Sequence, residues 1–174
     1  GVATPGRDYE PLTQASFVEA LVRFISDDPS RDRNDILDGR KLRELDQKKY
    51  PFNGLFKEGD NGLLKIYQII YNYFQAVRDI WPTAWEQKQR KGNLLPKSNA
   101  FKALMRYLRT HAYLEVAEDQ IGRVPSVEEF KEILARVSLS DDDFSTRNFL
   151  PGSGGESRFY KVLTGEVGSA VLFE

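Results

Sequence analysis

Residues 62–81, GLLKIYQIIYNYFQAVRDIW, constrain the fold more than any other part of the chain. Polar residues recur in this run at spacings of three and four, which is the repeat of an α-helix. They are Lys65, Gln68, Asn72, Gln75 and Asp79. Almost every other position is apolar, and a helix that is apolar around most of its circumference belongs at the centre of a domain. We therefore predict a central helix over 62–81 that ends before Pro82. The polar positions also argue against a membrane-spanning segment.

Three further segments show the same period. A first helix is expected over 13–26, with Thr13 as its N-cap. Another follows Ser98, and a third opens with Ser126 and Glu129, which have capping-box spacing. The apolar face of the first helix comprises Phe17, Leu21, Phe24 and Ile25. That of the helix after Ser98 comprises Phe101, Leu104, Met105 and Leu108. That of the helix after Ser126 comprises Val127, Phe130, Ile133, Leu134 and Val137.

The remaining segments are less regular. Residues 27–54 carry many charges and little periodicity, so we predict a charged connecting segment with one short helix from about Ile36 to Leu45. A glycine-rich turn precedes a short helix over 156–163, and the tail EVGSAVLFE is expected to form a strand or an arm. Together these segments predict an all-α fold that forms a single domain over 1–174 with about five or six helices. Its loop-like start without methionine suggests a C-terminal fragment of a longer protein.

Charge is balanced over the whole chain, with 25 basic and 26 acidic residues, but it is segregated along it. Glu86 is the sole acid from residue 86 to residue 111, whereas nine acids lie between 112 and 143. On the helix after Ser98, three bases share the face opposite the apolar one. The bases of this stretch are Lys88, Arg90, Lys91, Lys97, Lys102, Arg106 and Arg109.

Two interpretations of this basic face stay open. It can contact phosphates, in which case binding releases counterions and weakens with added salt. Alternatively, it pairs inside the fold with the acidic helix over 127–137.

The stretch PGSGGES, residues 151–157, also has two interpretations. It lacks the lysine and serine or threonine of a P-loop and the spacing of a dinucleotide fingerprint, which argues against nucleotide hydrolysis. It can be a turn that directs the last helix. It can also be an anion site in which Ser153, Gly154 and Gly155 present backbone amides beside Arg158.

No catalytic constellation is apparent. Asp141, Asp142 and Asp143 do not have EF-hand spacing, and we predict that they form a helical turn capped by Ser140. His111 is the sole histidine and cysteine is absent, so a hydrolase triad and a thiolate metal site are not indicated. The chain is expected to need no metal or cofactor, although a metal-dependent enzyme fragment using Asp141, Asp142, Asp143 and Glu156 is a third hypothesis.

The aromatic residues of the central region are expected in the core rather than stacked on bases. They are Tyr71, Tyr73, Phe74, Trp81 and Trp85.

Four stretches, LTQASFVEALVRFI, IYQIIYNYFQAVRDIWPTAWEQK, NAFKALMRYL and GSGGESRFYKVL, resemble the C-terminal helical portion of DGQHR-domain proteins. This family includes the bacterial DndB-type proteins of DNA phosphorothioation systems. The motif that names the family is absent, because DGRK at 38–41 shares only its first two letters. No functional residue is therefore carried over. The resemblance implies a bacterial cytoplasmic protein of DNA modification or phage defence, in which DndB-type members are DNA-binding regulators of transcription.

These observations lead to one expected function and one alternative. We expect a non-catalytic helical domain that binds double-stranded DNA through the bases of 88–109, with the turn at 153–158 as a further phosphate contact. The alternative is a protein–protein interaction or oligomerisation module, in which the acidic half meets the basic half of a neighbour or partner subunit. Neither involves a membrane.

Overall fold

A computed structural model describes residues 12–86, 95, 98–145, 148–149 and 153–168. The prediction of an all-α fold is confirmed, because the regular elements of these residues are all helical. The α-helices are α1 (Gln14–Val22), α2 (Pro29–Leu37), α3 (Asn53–Lys57), α4 (Asp60–Ile80), α5 (Pro82–Glu86), α6 (Ser98–Tyr107), α7 (Tyr113–Val116), α8 (Val127–Leu134) and α9 (Ser153–Leu163). A π-helical turn, Leu108–Ala112, joins α6 to α7, and a 3₁₀ turn spans Asp141–Asp143.

Local signals place the starts of α1 and α8 correctly. The Thr13 side chain accepts a hydrogen bond from the Ser16 amide at 3.1 Å and caps α1. Ser126 and Glu129 form the predicted capping box of α8. Each of these contacts satisfies an amide that the first turn of a helix leaves without a partner.

The core lies where α4 packs on α8 and α3, and where α6 packs on α1 and α9. Tyr73 of α4 is fully buried, its ring meets that of Phe130 edge-on at 5.5 Å, and its hydroxyl donates to the Leu104 carbonyl at 3.1 Å. The Trp81 indole donates to the Leu139 carbonyl at 2.9 Å. Burial of polar atoms on such aromatic residues is tolerated because each finds a partner.

The prediction of a central helix over 62–81 is confirmed by α4, although α4 is buried on one face only. One face of α4 is buried, including Ile66, Ile69 and Tyr73. The opposite face, however, exposes Leu63, Leu64, Tyr67 and Tyr71 to solvent. The expectation that Tyr71 belongs to the core is therefore wrong. The apolar side chains of α4 occupy a wider part of its circumference than the neighbouring elements cover.

The charged segment over 27–54 differs from its prediction. Its longest helix is α2, whereas residues 38–46 contain no helix, so the helix predicted at about 36–45 is wrong. The physical reason is local: Asp28 accepts from the Arg31 amide, and Pro29 has the fixed φ of a first helical residue. The acid Asp32 is buried, with hydrogen bonds from Arg43 at 2.7 Å and from the Ser26 hydroxyl at 2.5 Å.

At the C-terminal end, α9 begins at Ser153 rather than at Glu156. Gly154 and Gly155 of the predicted turn therefore lie within the first turn of α9. The predicted strand or arm falls largely on residues 169–174, outside the described residues. Within the described chain, every helix is too short or too polar to cross a lipid bilayer.

Candidate functional site

A cleft of about 350 Å³ opens between α1, α6 and the first turn of α9. Its lining carries four cations and two carboxylates. They are Arg23, Lys102, Arg106 and Arg109, against Glu19 and Glu156. The basic face predicted on α6 therefore forms one wall of a concave site, and α1 supplies the other wall.

Glu19 holds two of these cations. Its carboxylate lies 3.1 Å from the Lys102 ammonium and 3.4 Å from the Arg23 guanidinium. The hydrogen bond from Lys102, with the charges of Lys102 and Arg23, holds the pKa of Glu19 below its usual value. One carboxylate thus neutralises part of the charge that α1 and α6 bring together.

Arg106 is held by an aromatic ring instead of an acid. Its guanidinium carbon lies 3.8 Å from the centre of the Tyr160 ring on α9, which is a cation–π contact. The hydroxyl of Tyr160 lies 2.9 Å from Thr110 Oγ1, which donates to the Arg106 carbonyl at 2.9 Å. The Tyr160 ring is thereby positioned at both its face and its hydroxyl, and Arg106 has no carboxylate partner among the described residues.

Arg109 is the cation of the cleft that donates to a backbone carbonyl. It belongs to the π-helical turn, is half-buried, and donates to the Lys49 carbonyl at 3.4 Å. Burial, followed by the positive charges of Arg23 and Arg106, lowers the pKa of Arg109 below its usual value. Among the described residues no acid forms an ion pair with it, and an anion in the cleft would offset this repulsion.

The alternative in which the basic face pairs with the helix over 127–137 is wrong for the described bases. Helix α8 packs against α4. The charged residues of α8 pair with near neighbours, and Arg136, which follows α8, pairs with α7. Lys131 binds Glu128 at 3.1 Å, and Arg136 binds Glu115 at 2.5 Å. Within the described residues, Lys102 pairs with Glu19 of α1 instead.

The other predicted contacts are distributed as follows. Lys88, Arg90, Lys91 and Lys97 lie outside the described residues. Gly154, Gly155 and Arg158 lie in the first turns of α9 together with Ser153. Of this turn, Glu156 lines the cleft. Because Glu156 is acidic, this end of the cleft is less favourable for a phosphate than the end near Arg106 and Arg109.

Sequence reasoning missed Arg23 and Tyr160. Arg23 follows Glu19 by four residues, which reads as an ordinary surface pair on one helix. Tyr160 reads as a core residue of the last helix. Only the packing of α6 against both α1 and α9 brings these two side chains to the basic face.

The acidic run at 141–143 has structural partners. The predicted helical turn is present with Ser140 at its N-cap position, where the Asp143 carboxylate accepts from the Ser140 amide at 2.7 Å and from its hydroxyl at 2.9 Å. Asp141 accepts from the Ala84 amide at 2.6 Å and so caps α5. Among the described residues, no three His, Asp or Glu side chains are grouped as metal ligands.

Comparison of the chain with models of known protein families, with curated protein sequences and with solved structures finds no match.

Proposed function

We propose that this domain is non-catalytic and binds the phosphate backbone of double-stranded DNA through the cleft between α1 and α6. The observation that carries the proposal is the pair Arg106 and Arg109. Both guanidinium groups border the cleft, and neither has an ion-pair partner among the described residues. Arginine presents a planar fork of donors that matches phosphate oxygens.

The surroundings favour binding of an anion over a neutral ligand. Arg109 lies near Arg23 and Arg106, so a phosphate that enters the cleft offsets the repulsion among the three. Arg106 is already oriented by the Tyr160 ring, so less side-chain freedom is lost on binding. Contacts of this kind position a protein on DNA without reading its sequence.

The proposed setting is a bacterial cytoplasmic regulator of DNA modification or phage defence. This part of the proposal rests on the resemblance to the C-terminal portion of DGQHR-domain proteins. Four further bases, Lys88, Arg90, Lys91 and Lys97, precede α6 and remain predicted backbone contacts. The amides of 153–155 with Arg158 remain a predicted additional phosphate contact.

Fluorescence anisotropy with duplex DNA across a salt series tests the proposal. The logarithm of the affinity should fall linearly with the logarithm of the salt concentration, and similarly for unrelated duplex sequences. Replacing Arg106 and Arg109 by Ala should reduce the slope by about 2, or about one unit per lost phosphate contact. Lys102→Ala should have a smaller effect, since Glu19 already neutralises that ammonium.

The matched control removes two arginines from α2 and its following turn, Arg31 and Arg40. Both side chains are exposed and pair with Asp35, so their double replacement by Ala changes the net charge equally. It should leave the slope nearly unchanged. A chain without affinity for DNA at low salt, or equal slopes for the cleft variant and the control, would contradict the proposal.

The alternative function, a protein–protein interaction or oligomerisation module, is favoured by a different observation. Helix α4 exposes several large apolar side chains along one face. Contiguous apolar surface of this kind marks interaction sites on protein surfaces. Light scattering in the absence of DNA tests the oligomerisation form of this alternative, because that form predicts a species larger than one chain.

A further inference from the structure

One face of α4 combines exposed apolar residues with a charge at each end. Leu64, Tyr67 and Tyr71 are 54%, 61% and 50% exposed. Asp60 lies four residues before Leu64, and Arg78 lies seven residues after Tyr71. These spacings place all five residues within one narrow sector of the helix, opposite the buried face that carries Ile69 and Tyr73. We call these five residues the α4 stripe.

The α4 stripe is complementary to itself when it is reversed. If two copies of α4 pack antiparallel through their stripes, about a two-fold axis at the level of Ile69 along the helix, Asp60 of one copy faces Arg78 of the other. In the same register Tyr67 of one copy faces Tyr71 of the other. Opposite charges therefore meet twice by symmetry, apolar side chains fill the centre, and the two helix dipoles are antiparallel.

The structure provides a groove beside the stripe for the partner's side chains. A cavity of about 450 Å³ runs between α1, α4 and α5, and its lining is almost entirely apolar. Phe17 and Leu21 form its α1 wall, and Trp85 closes it from α5. The rings of Tyr67 and Tyr71 stack with centres 5.8 Å apart at its edge, so they can enter the groove of a second copy.

The size of the surface is compatible with a dimer only if α1 takes part. A helix of the length of α4 is about 31 Å long and about 10 Å wide, which is a footprint of roughly 300 Å². Stable interfaces bury about 800 Å² per partner. Leu12 and Val18, next to and on α1, are also exposed apolar residues.

We infer that a second copy of this chain docks on the α4 stripe and the adjoining groove, forming a two-fold dimer with antiparallel α4 helices. This inference rests on the alternative function and names the partner and its register. It is independent of DNA binding by the cleft, because none of the stripe residues lines that cleft.

Sedimentation velocity over a concentration series measures the dimer. Asp60→Arg or Arg78→Asp alone should raise the dissociation constant of the dimer about tenfold, because two like-charged contacts replace two attractive ones. The double variant Asp60→Arg/Arg78→Asp should recover most of the lost affinity, since it re-forms both interchain pairs, although it removes the pair of Arg78 with Asp79 of its own helix at 3.5 Å. Tyr67→Lys should give a monomer.

Leu37→Lys is the matched control, since Leu37 is an exposed apolar residue of α2, outside the stripe and groove. It should leave the dimer unchanged. Circular dichroism of each variant checks that the helical fold is retained. A wild-type chain that stays monomeric at every concentration overturns both the inference and the oligomerisation form of the alternative function. A dimer that is insensitive to Tyr67→Lys, or that the double variant fails to restore, overturns the inference alone.

Discussion

Gly62→Ala is the substitution for which the sequence and the structure predict opposite signs. Gly62 lies in the first turns of α4, where alanine is intrinsically favoured over glycine by about 1 kcal/mol. The backbone of α3, however, runs directly against Gly62. A Cβ atom at this position would lie 1.7 Å from the carbonyl oxygen of Leu55 and 2.6 Å from its carbonyl carbon.

The cost follows from this distance. An ordinary contact between a carbon and a carbonyl oxygen is about 3.3 Å, so α3 and α4 must separate by more than 1 Å at this point, a rough estimate from that contact. The obstacle is backbone rather than a flexible side chain, and overpacking that shifts backbone costs about 3 kcal/mol. After the gain in helix propensity, the expected net loss is about 2 kcal/mol.

Urea unfolding monitored by circular dichroism measures the change in the free energy of unfolding, and thermal unfolding measures the change in Tm. For a chain of this length, a loss of about 2 kcal/mol corresponds to a Tm lower by about 4–8 °C. Gly154→Ala is the control, because a Cβ atom there meets nothing within 4 Å and Gly154 is also helical. It should stabilise the fold by about 0.5 kcal/mol. A Gly62→Ala variant as stable as the wild type would refute the close approach of α3 to α4.

Two further stability predictions concern polar groups. Asn53 is buried, donates to the Ile25 and Arg43 carbonyls at 2.8 and 3.2 Å and accepts from the Leu45 amide at 3.4 Å, so Asn53→Ala should cost about 3 kcal/mol in urea unfolding. Exposed Asn34→Ala is the control and should change stability by less than about 0.5 kcal/mol. The Arg123 guanidinium, with the Ser126 amide, lowers the pKa of Glu129 to about 2 from 4.5. The stabilisation from Glu129 is therefore fully present above about pH 4.5 and is lost as the pH falls toward 2. Because Glu129 is partly exposed, the effect should be below about 1 kcal/mol. Glu129→Gln should flatten the Tm profile between these pH values, and a profile as steep as that of the wild type would contradict the assignment.

Helix type and helix caps were predictable because both depend on residues within one or two turns. The period of 62–81 predicts α4, and Thr13 and Ser126 mark where α1 and α8 begin. The helix in 27–54 was misplaced because its apolar residues are few, and the cap at Asp28 outweighed the weak periodicity around Ile36. The basic face of α6 was also visible, since Lys102, Arg106 and Arg109 recur at helical spacing.

The partners of these faces could not be predicted in the same way. Arg23 and Tyr160 are 83 and 54 residues away from Arg106 along the chain. Only the packing of α6 on α1 and α9 brings them to the cleft.

The sequence by itself determined that the fold is all-α, where α1, α4, α6 and α8 begin, and that one helix face is basic. These properties are local, since they follow from side-chain period and from hydrogen bonds to nearby amides. Tertiary structure alone decided which faces are covered. It buried one side of α4 and exposed Leu64, Tyr67 and Tyr71 on the other, and it set the Leu55 carbonyl against Gly62. The physical reason is that burial and close approach depend on contacts between residues far apart in the chain. The periodicity of one segment contains no information about such contacts.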